Sequence, residues 1–265
     1  ILRRCATMRS RHSASLIPVL ASALLCLAAC DTRPTAQVQV GQHAHTFERG
    51  QSRLNYLLFL PEGYGQDPDE RWPLLLFLHG IAQRGDSLDE LELLKADGPP
   101  LVVEGQPDLP FIVLSPQCPP NSYWEPELDQ VDALLDEMLS NYAVDPDRVY
   151  LTGLSMGGFG AWHYGLRDPG RFAALVPIAG GHQLGSDAVP ADICDLQDTP
   201  TWAFHGVLDD VVPAWQSGVL VDALRACPAD IRLTLYAEAD HDDAWKRAYD
   251  DPALYEWLLA QRLGP

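Results

Sequence analysis

The chain has 265 residues, of which 47% are hydrophobic, and it carries a formal net charge of −19 at pH 7. This length and apolar content suit one folded domain with a sizeable core. The acidic balance argues against binding to nucleic acid or to an anionic membrane surface, and it disfavours polyanionic substrates. The sequence has no C-x-x-C pair and no His/Cys cluster with metal-ligand spacing, so we expect no structural metal.

The first 29 residues indicate an export signal. Four arginines within the first eleven residues precede the apolar run Leu16–Ala29, which is too short to span a bilayer comfortably. The run leads into Leu-Ala-Ala-Cys, which resembles the bacterial lipobox and would make Cys30 the lipidated first residue of a mature lipoprotein. We therefore predict a signal peptide over residues 1–29, a tether over 30–37 and a folded domain over 38–265.

Two cellular locations of the protein are consistent with this interpretation of the N-terminus. With a lipid anchor, the protein is held on the periplasmic face of the bacterial cell envelope, and the anchor is its only predicted membrane contact. With ordinary cleavage after an A-x-A-like site, the protein is secreted instead. Both locations place the domain in an oxidising compartment. The sequence leaves the oligomeric state open.

Short apolar runs alternate with helical patterns along the predicted domain. Val38–Phe47 and Arg53–Leu60 flank a turn at residues 48–51 and predict an antiparallel hairpin. Runs without polar alternation suit strands covered on both faces, and six follow: Pro73–Leu78, Phe111–Ser115, Val149–Thr152, Ala174–Ala179, Trp202–Phe204 and Ile231–Tyr236. Four helices are predicted from apolar periodicity: Pro126–Asn141, Ser155–Arg167, Ala214–Ala226 and Pro252–Gln261. The alternation predicts an α/β fold with a mainly parallel, doubly wound sheet led by the hairpin.

A G-x-S-x-G motif occupies the junction between a predicted strand and a predicted helix. Gly153–Gly157 follows the strand Val149–Thr152 and opens the helix Ser155–Arg167. In this context the motif predicts the nucleophile elbow of an α/β-hydrolase, in which a sharp turn exposes the hydroxyl of Ser155. The glycines let the strand and helix backbones pass closely where a Cβ would clash.

An activated serine needs a base and an acid, which in this fold follow it in the order acid, then histidine. Asp209 and Asp210 both follow the strand Trp202–Phe204. We choose Asp209 because H-G-x-x-D-x-V-V-P resembles the acid loop of the superfamily, and we expect Asp210 to face solvent or to cap the next helix. His241 follows the last strand and has the order and spacing of the base.

The tetrahedral intermediate of acyl transfer needs two preorganised N–H donors. One is predicted to be the Met156 amide, at the start of the elbow helix. The other is expected in the loop that begins at His79, where we choose the Ile81 amide. His79 and His205 each precede a glycine after a strand, and we expect them to brace their loops by hydrogen bonding.

Three cysteines fall in the predicted domain. Cys194 and Cys227 each precede one of the last two predicted strands. Because these strands should be parallel neighbours, the two cysteines should lie near the same edge of the sheet, and we predict a disulfide between them. Cys118 would then remain a free, buried thiol.

The ordered motifs of the chain resemble one part of the α/β-hydrolase superfamily. The motifs are Gly153–Gly160, His79-Gly80 with Arg84-Gly85, Ser115–Pro119 and the closing segment from His241 to Leu259. Over about residues 53 to 262 they are similar to serine esterases and peptidases near the polyhydroxybutyrate depolymerase, feruloyl esterase and phospholipase/carboxylesterase families. This resemblance implies that Ser155, Asp209 and His241 form a catalytic triad.

The resemblance also carries expectations about the substrate pocket. It implies that Gln117 and the segment after it, including Trp124, contribute to the acyl or alcohol pocket. Trp124 lies in a predicted irregular loop, and a core role remains open beside the binding role. His182, after a strand at the active edge, either lines the pocket or fills its loop. The chain departs from the resemblance at Ile81, where a small residue is commoner and the bulkier side chain would narrow the entrance.

These observations predict a serine carboxylesterase that hydrolyses short-chain or aryl esters, such as feruloyl esters, through an acyl-enzyme on Ser155. No cofactor is needed, and the partner is a small-molecule ester. The chain has no long insertion between strands, so we expect no large lid domain and an open, shallow pocket. The alternatives are a serine peptidase on the same fold and a non-catalytic, ligand-binding envelope lipoprotein.

Overall fold

The computed structural model describes residues 39–50 and 52–264. The predicted signal peptide, Cys30 and the tether lie outside these residues. Within the part of the chain that is described, no helix is both long enough and apolar enough to cross a membrane.

In the part of the chain that the structure describes, eight strands form one sheet, which confirms the predicted fold class. They are β1 Gly41–Arg49, β2 Ser52–Leu60, β3 Trp72–Leu78, β4 Ile112–Pro116, β5 Val144–Leu154, β6 Ala174–Ile178, β7 Thr201–Gly206 and β8 Ile231–Tyr236. The spatial order is β1-β2-β4-β3-β5-β6-β7-β8. The hairpin β1–β2 and the pair β2–β4 are antiparallel, and every pair from β4 through β8 is parallel. The carboxyl ends of six parallel strands therefore meet at one edge, where loops can converge.

Within residues 39–50 and 52–264, six α-helices cover the sheet. They are α1 Gly98–Gly105, α2 Trp124–Asn141, α3 Met156–Arg167, α4 Trp215–Arg225, α5 His241–Tyr249 and α6 Pro252–Leu259, and short 3₁₀ segments lie at Ile81–Gln83, Asp89–Ala96 and Ile193–Leu196. α1 and α5 were not predicted from the sequence. Two prolines in the first turn of α1 and four charged residues in α5 hide the helical pattern. Asp240 caps α5 by accepting a hydrogen bond from the Asp243 amide at 2.9 Å.

Two hydrophobic cores lie on opposite faces of the sheet, and β3 contributes to both. Leu74, Leu76 and Leu78 belong to the core that includes α2, α3 and α4. Leu75 and Phe77 point to the other face and pack with α1, α5 and α6. Burial on both faces is the reason why these strands are continuously apolar.

Cys194 and Cys227 lie close together because β7 and β8 are neighbours in the sheet. Cys194 and Cys227 form a disulfide with a Cα–Cα distance of 5.7 Å, which ties the segment before β7 to the segment before β8. Cys118 is buried and is not in a disulfide. Burial raises the pKa of the Cys118 thiol to about 12, so this thiol is protonated and poorly reactive at neutral pH.

Candidate active site

Ser155 lies on a strained turn between β5 and α3. Its backbone angles are φ 52° and ψ −118°, in a region that residues with a side chain rarely adopt. The turn is held by the Ser155 amide, which donates to the Ile178 carbonyl at 3.0 Å. A Cβ at Gly157 would overlap the Leu78 carbonyl, and one at Gly153 would overlap the backbone of Gly157. Only glycines at these two places allow the sharp turn.

The side chains of Ser155, His241 and Asp209 form a continuous hydrogen-bonded chain. His241 Nε2 lies 2.9 Å from Ser155 Oγ, and His241 Nδ1 lies 2.6 Å from Asp209 Oδ2. Ser155 follows β5, Asp209 lies in the loop after β7, and His241 is the first residue of α5, just after β8. The Trp245 ring packs edge-on against the His241 imidazole at a centroid distance of 4.9 Å. The arrangement can pass a proton from the hydroxyl to the imidazole.

Asp209 is buried, and four donors surround its carboxylate. The amides of Val211 and Val212 donate to Oδ1 at 3.0 and 2.8 Å. His241 Nδ1 and His205 Nε2 lie 2.6 and 3.2 Å from Oδ2. Burial alone would raise the pKa of Asp209, but the hydrogen bonds from the two histidines and the Val212 amide hold this pKa well below its ordinary value. Asp209 is therefore ionised throughout the physiological pH range.

Asp209 and Asp210 were both candidates for the acid of the triad, and they differ in burial. Asp209 exposes 7% of its surface, whereas Asp210 is exposed to solvent. The N-cap of α4 is Ala214, and no side chain caps this helix. Asp210 thus faces solvent and does not cap α4.

Two backbone amides near Ser155 have no hydrogen-bond acceptor among the residues that the structure describes. They belong to Ile81, at the start of a 3₁₀ segment, and to Met156, at the start of α3. The loop with Ile81 lies against the elbow, because a Cβ added to Gly80 would be 3.6 Å from Ser155 Cβ. Both amides are free to donate to an oxygen bound beside Ser155.

His79 braces the loop that carries Ile81. Its Nδ1 lies 2.6 Å from the Gly80 carbonyl, and its Nε2 accepts from the Cys118 amide at 2.9 Å. Since a carbonyl only accepts, the proton of this imidazole is on Nδ1. Complete burial lowers the pKa of His79 to about 4, which keeps the ring neutral.

Gln117 and Trp124, which were both expected in the pocket, are buried and make structural hydrogen bonds. Gln117 is buried, and its amide donates to the carbonyls of Gln83 and Glu90, each at 2.9 Å. Trp124 is the first residue of α2 rather than part of an irregular loop, is 1% exposed, and donates from Nε1 to the His79 carbonyl at 2.9 Å. Trp124 still contributes to the wall of the cavity beside Ser155, whereas Gln117 does not.

His182 lies outside that cavity. Its carbonyl is 2.8 Å from His163 Nε2, and the two imidazole rings lie 4.6 Å apart. Both rings line a separate cavity of about 230 Å³ that also contains Glu125 and Asp192. Burial and the neighbouring His163 lower the pKa of His182. His182 therefore does not line the cavity beside Ser155, contrary to the expectation from the sequence.

A mainly apolar cavity of about 300 Å³ opens beside the Ser155 hydroxyl. Most of its lining was not found from the sequence. The residues are Ile81, Tyr123, Trp124, Glu125, Ser155, Met156, Phe159, Gly160, His163, Leu184, Val211 and Val212. Phe159 follows Ser155 by one turn of α3, and this spacing is a signal that could have identified it. Gly160 and His163 lie further along α3, and Glu125 lies in the first turn of α2. Tyr123, Leu184, Val211 and Val212 come from separate loops, and nothing local marks them.

The eight-stranded sheet and the serine elbow after β5 define the fold as that of an α/β-hydrolase. Residues 48–236 match the model of the Esterase family, which is described as "Putative esterase". Because this match covers more than half of the chain, the protein belongs to the Esterase family.

Individual relatives agree with this assignment. The chain is 25% identical over 232 residues to a poly(3-hydroxyoctanoate) depolymerase of Pseudomonas fluorescens, covering 76% of this chain and 80% of that one. It is 31% identical over 148 residues to a bifunctional acetylxylan esterase/xylanase of Neocallimastix patriciarum, covering 53% of this chain and 20% of that protein. The crystal structure of a thermostable esterase superposes with a TM-score of 0.69 at 32% identity, covering 83% of this chain and 63% of that one. The chain thus spans less than two thirds of two of these three relatives.

Proposed function

We propose that the protein is a serine carboxylesterase that forms an acyl-enzyme on Ser155. The observation that carries the proposal is the unbroken chain of hydrogen bonds, 2.9 Å from Ser155 Oγ to His241 and 2.6 Å from His241 to Asp209. Such a chain lets one imidazole serve as base and then as acid at a hydroxyl that is otherwise a weak nucleophile.

The reaction proceeds in two displacements. Ser155 Oγ attacks the ester carbonyl while His241 Nε2 accepts the hydroxyl proton, and Asp209 stabilises the resulting imidazolium. The amides of Ile81 and Met156 donate to the oxyanion, and removing one such donor costs about 3 to 4 kcal/mol in related sites. His241 then protonates the leaving alcohol. In the second displacement water attacks the acyl-enzyme, with His241 again as base.

The cavity supports an uncharged, apolar acyl group. Its volume of about 300 Å³ is at the small end of ligand pockets, which suits short-chain or aryl acyl groups better than long lipids. Phe159, Leu184 and Val211 supply apolar walls, and the acidic side chain of Glu125 disfavours an anionic acyl group. The similarity to proteins named acetylxylan esterase and poly(3-hydroxyoctanoate) depolymerase supports ester substrates.

Replacement of Ser155 by alanine tests the nucleophile. With p-nitrophenyl butyrate, we expect kcat/KM to fall by about 10⁴-fold or more, and labelling by a fluorophosphonate to disappear. Ser140→Ala, at an exposed position on α2, is the matched control and should retain full activity. Turnover by Ser155→Ala within tenfold of the parent would overturn the proposal.

An acyl-length series tests the pocket. We expect p-nitrophenyl butyrate to be hydrolysed faster than the acetate, because a methylene group in an apolar pocket is worth about 1 to 3 kcal/mol. Aminoacyl p-nitroanilides measure peptidase activity in parallel. If they are cleaved faster than the esters, the protein is a peptidase and the proposed substrate class is wrong.

We also propose that the protein is exported and lipid-anchored at Cys30, or else secreted. The disulfide between Cys194 and Cys227 supports an oxidising compartment. Radiolabelled palmitate should be incorporated by the parent chain and not by Cys30→Ser. If neither chain is labelled while the protein appears in the medium, the anchor is wrong and secretion is supported.

A further inference from the structure

His205 lies next to the proposed triad, but it has no role in the two displacements of the proposed reaction. It lies near the end of β7 and is fully buried. Its Nε2 is 2.7 Å from the Val212 carbonyl and 3.2 Å from Asp209 Oδ2. A carbonyl and an ionised carboxylate are acceptors only. Nε2 of His205 therefore carries a hydrogen.

The other ring nitrogen faces a hydroxyl group that is already used as a donor. His205 Nδ1 is 2.7 Å from Ser217 Oγ, and Ser217 Oγ donates to the Gly180 carbonyl at 2.9 Å. Among the residues that the structure describes, this hydroxyl is the donor that satisfies the Gly180 carbonyl. A hydroxyl has one hydrogen. Once it points at Gly180, the Ser217 oxygen can only accept, and Nδ1 of His205 must donate to it.

The surroundings of both nitrogens fit one protonation state, the imidazolium, in which Nδ1 donates to Ser217 Oγ and Nε2 donates to the Val212 carbonyl. A buried cation needs a counterion, and Asp209 Oδ2 at 3.2 Å supplies one. The titratable groups around the ring are Asp209, from its own loop, and His241 of α5, which binds the same oxygen. α4 presents the neutral Ser217 hydroxyl, and the end of β6 leads to the Gly180 carbonyl.

We propose that His205 is a positioning residue that is held as a buried imidazolium and forms an ion pair with Asp209. The ion pair fixes Oδ2 between two histidines, so that His241 keeps Nδ1 as the donor and Nε2 as the base. The positive charge of His205 also opposes the protonation of His241, because like charges disfavour each other at short range.

The protonation state can be measured directly in the parent protein by NMR of ¹⁵N-labelled histidine at about pH 8, where an unperturbed imidazole is neutral. We expect both nitrogens of His205 to carry a hydrogen. A bare Nδ1 at this pH would overturn the proposal. This measurement requires neither a variant nor catalytic activity.

His205→Gln tests the effect on the reaction. Glutamine can still donate to Val212 and Asp209 but carries no charge. We expect the acid limb of the kcat/KM profile to move to higher pH, because the positive charge beside Asp209 is lost. His43→Gln, which makes the same change on β1, should leave the limb in place. If His205→Gln lowers kcat but leaves the limb unmoved, the residue is only structural and its charge is refuted.

The kinetic arm depends on the proposed esterase activity, whereas the NMR arm does not. A parent protein that is inactive on every ester would overturn the proposed function and leave the NMR result to decide the state of His205.

Discussion

Replacing Asp209 with asparagine removes one charge while keeping the shape of the side chain. The amides of Val211 and Val212 both donate to Oδ1, so the asparagine oxygen would occupy that position. Its NH₂ group would then face His241 Nδ1, at the place where the carboxylate accepts a hydrogen bond of 2.6 Å. Two donors cannot share this contact, and the imidazole must move its proton from Nδ1 to Nε2.

The change of tautomer determines how much activity Asp209→Asn loses. With a hydrogen on Nε2, the imidazole presents a donor to Ser155 Oγ, only 2.9 Å away, and no longer accepts the serine proton. The same substitution in the triad of another serine hydrolase lowers kcat by about 10⁴-fold. At 1.36 kcal/mol for each factor of ten, we expect a loss of about 5 kcal/mol in transition-state stabilisation.

The neighbouring acid offers a matched control. Asp210 is exposed, and Asp210→Asn makes the same chemical change one residue along the chain. The measurement is kcat/KM with p-nitrophenyl butyrate near neutral pH, with circular dichroism to show that each variant is folded. We expect Asp210→Asn to remain within twofold of the parent. Asp209→Asn retaining more than a tenth of the activity, or Asp210→Asn losing as much, would refute the reasoning.

Three further predictions concern stability, measured by urea unfolding. Gly160→Ala should lower the free energy of unfolding by about 1 to 3 kcal/mol, since its methyl group would lie 2.7 Å from the nearest side-chain atom. Gly218→Ala, whose methyl group meets open space in α4, should raise it by up to about 1 kcal/mol, and equal effects would contradict the packing argument. Replacing Cys194 and Cys227 with alanine should cost about 3 to 4 kcal/mol, because the bridge spans 33 residues; an unchanged midpoint would argue against the bridge. Burial lowers the pKa of His79 from 6.5 to about 4, so the unfolded chain binds more protons between these values and stability falls as pH falls through them. The loss is about 3 kcal/mol, and it should be smaller in His79→Gln.

Much of the sheet could be predicted because its signal is local. Ile231–Tyr236 was predicted with the bounds that β8 has, and the remaining strands were found with shifts at their ends. A strand buried on both faces is continuously apolar wherever it occurs, so the pattern is visible without its neighbours. Helices α1 and α5 were missed because the prolines of α1 and the charged residues of α5 hide their apolar faces, which are completed only by packing against the sheet.

The direction of individual side chains was harder to predict. Gln117 was expected at the pocket because of its motif, but the carbonyls of Gln83 and Glu90 hold its amide in the interior. These partners lie 34 and 27 residues away in the chain. His205 was expected to brace its loop, and it does so through Val212. Its contact with Asp209 could not be predicted, because it depends on how the loop folds.

The sequence by itself determined the order of the elements, the strained turn at Ser155 and the choice of an acid and a histidine after later strands. It could do so because apolar periodicity, glycine spacing and chain order depend only on the sequence, mostly on residues that are close together in the chain. Only the tertiary structure decided which side chains line the cavity, which of Asp209 and Asp210 is buried, and that Asp209 lies between two histidines. Those outcomes depend on partners that are distant in the chain and become neighbours when the parallel strands align their carboxyl ends.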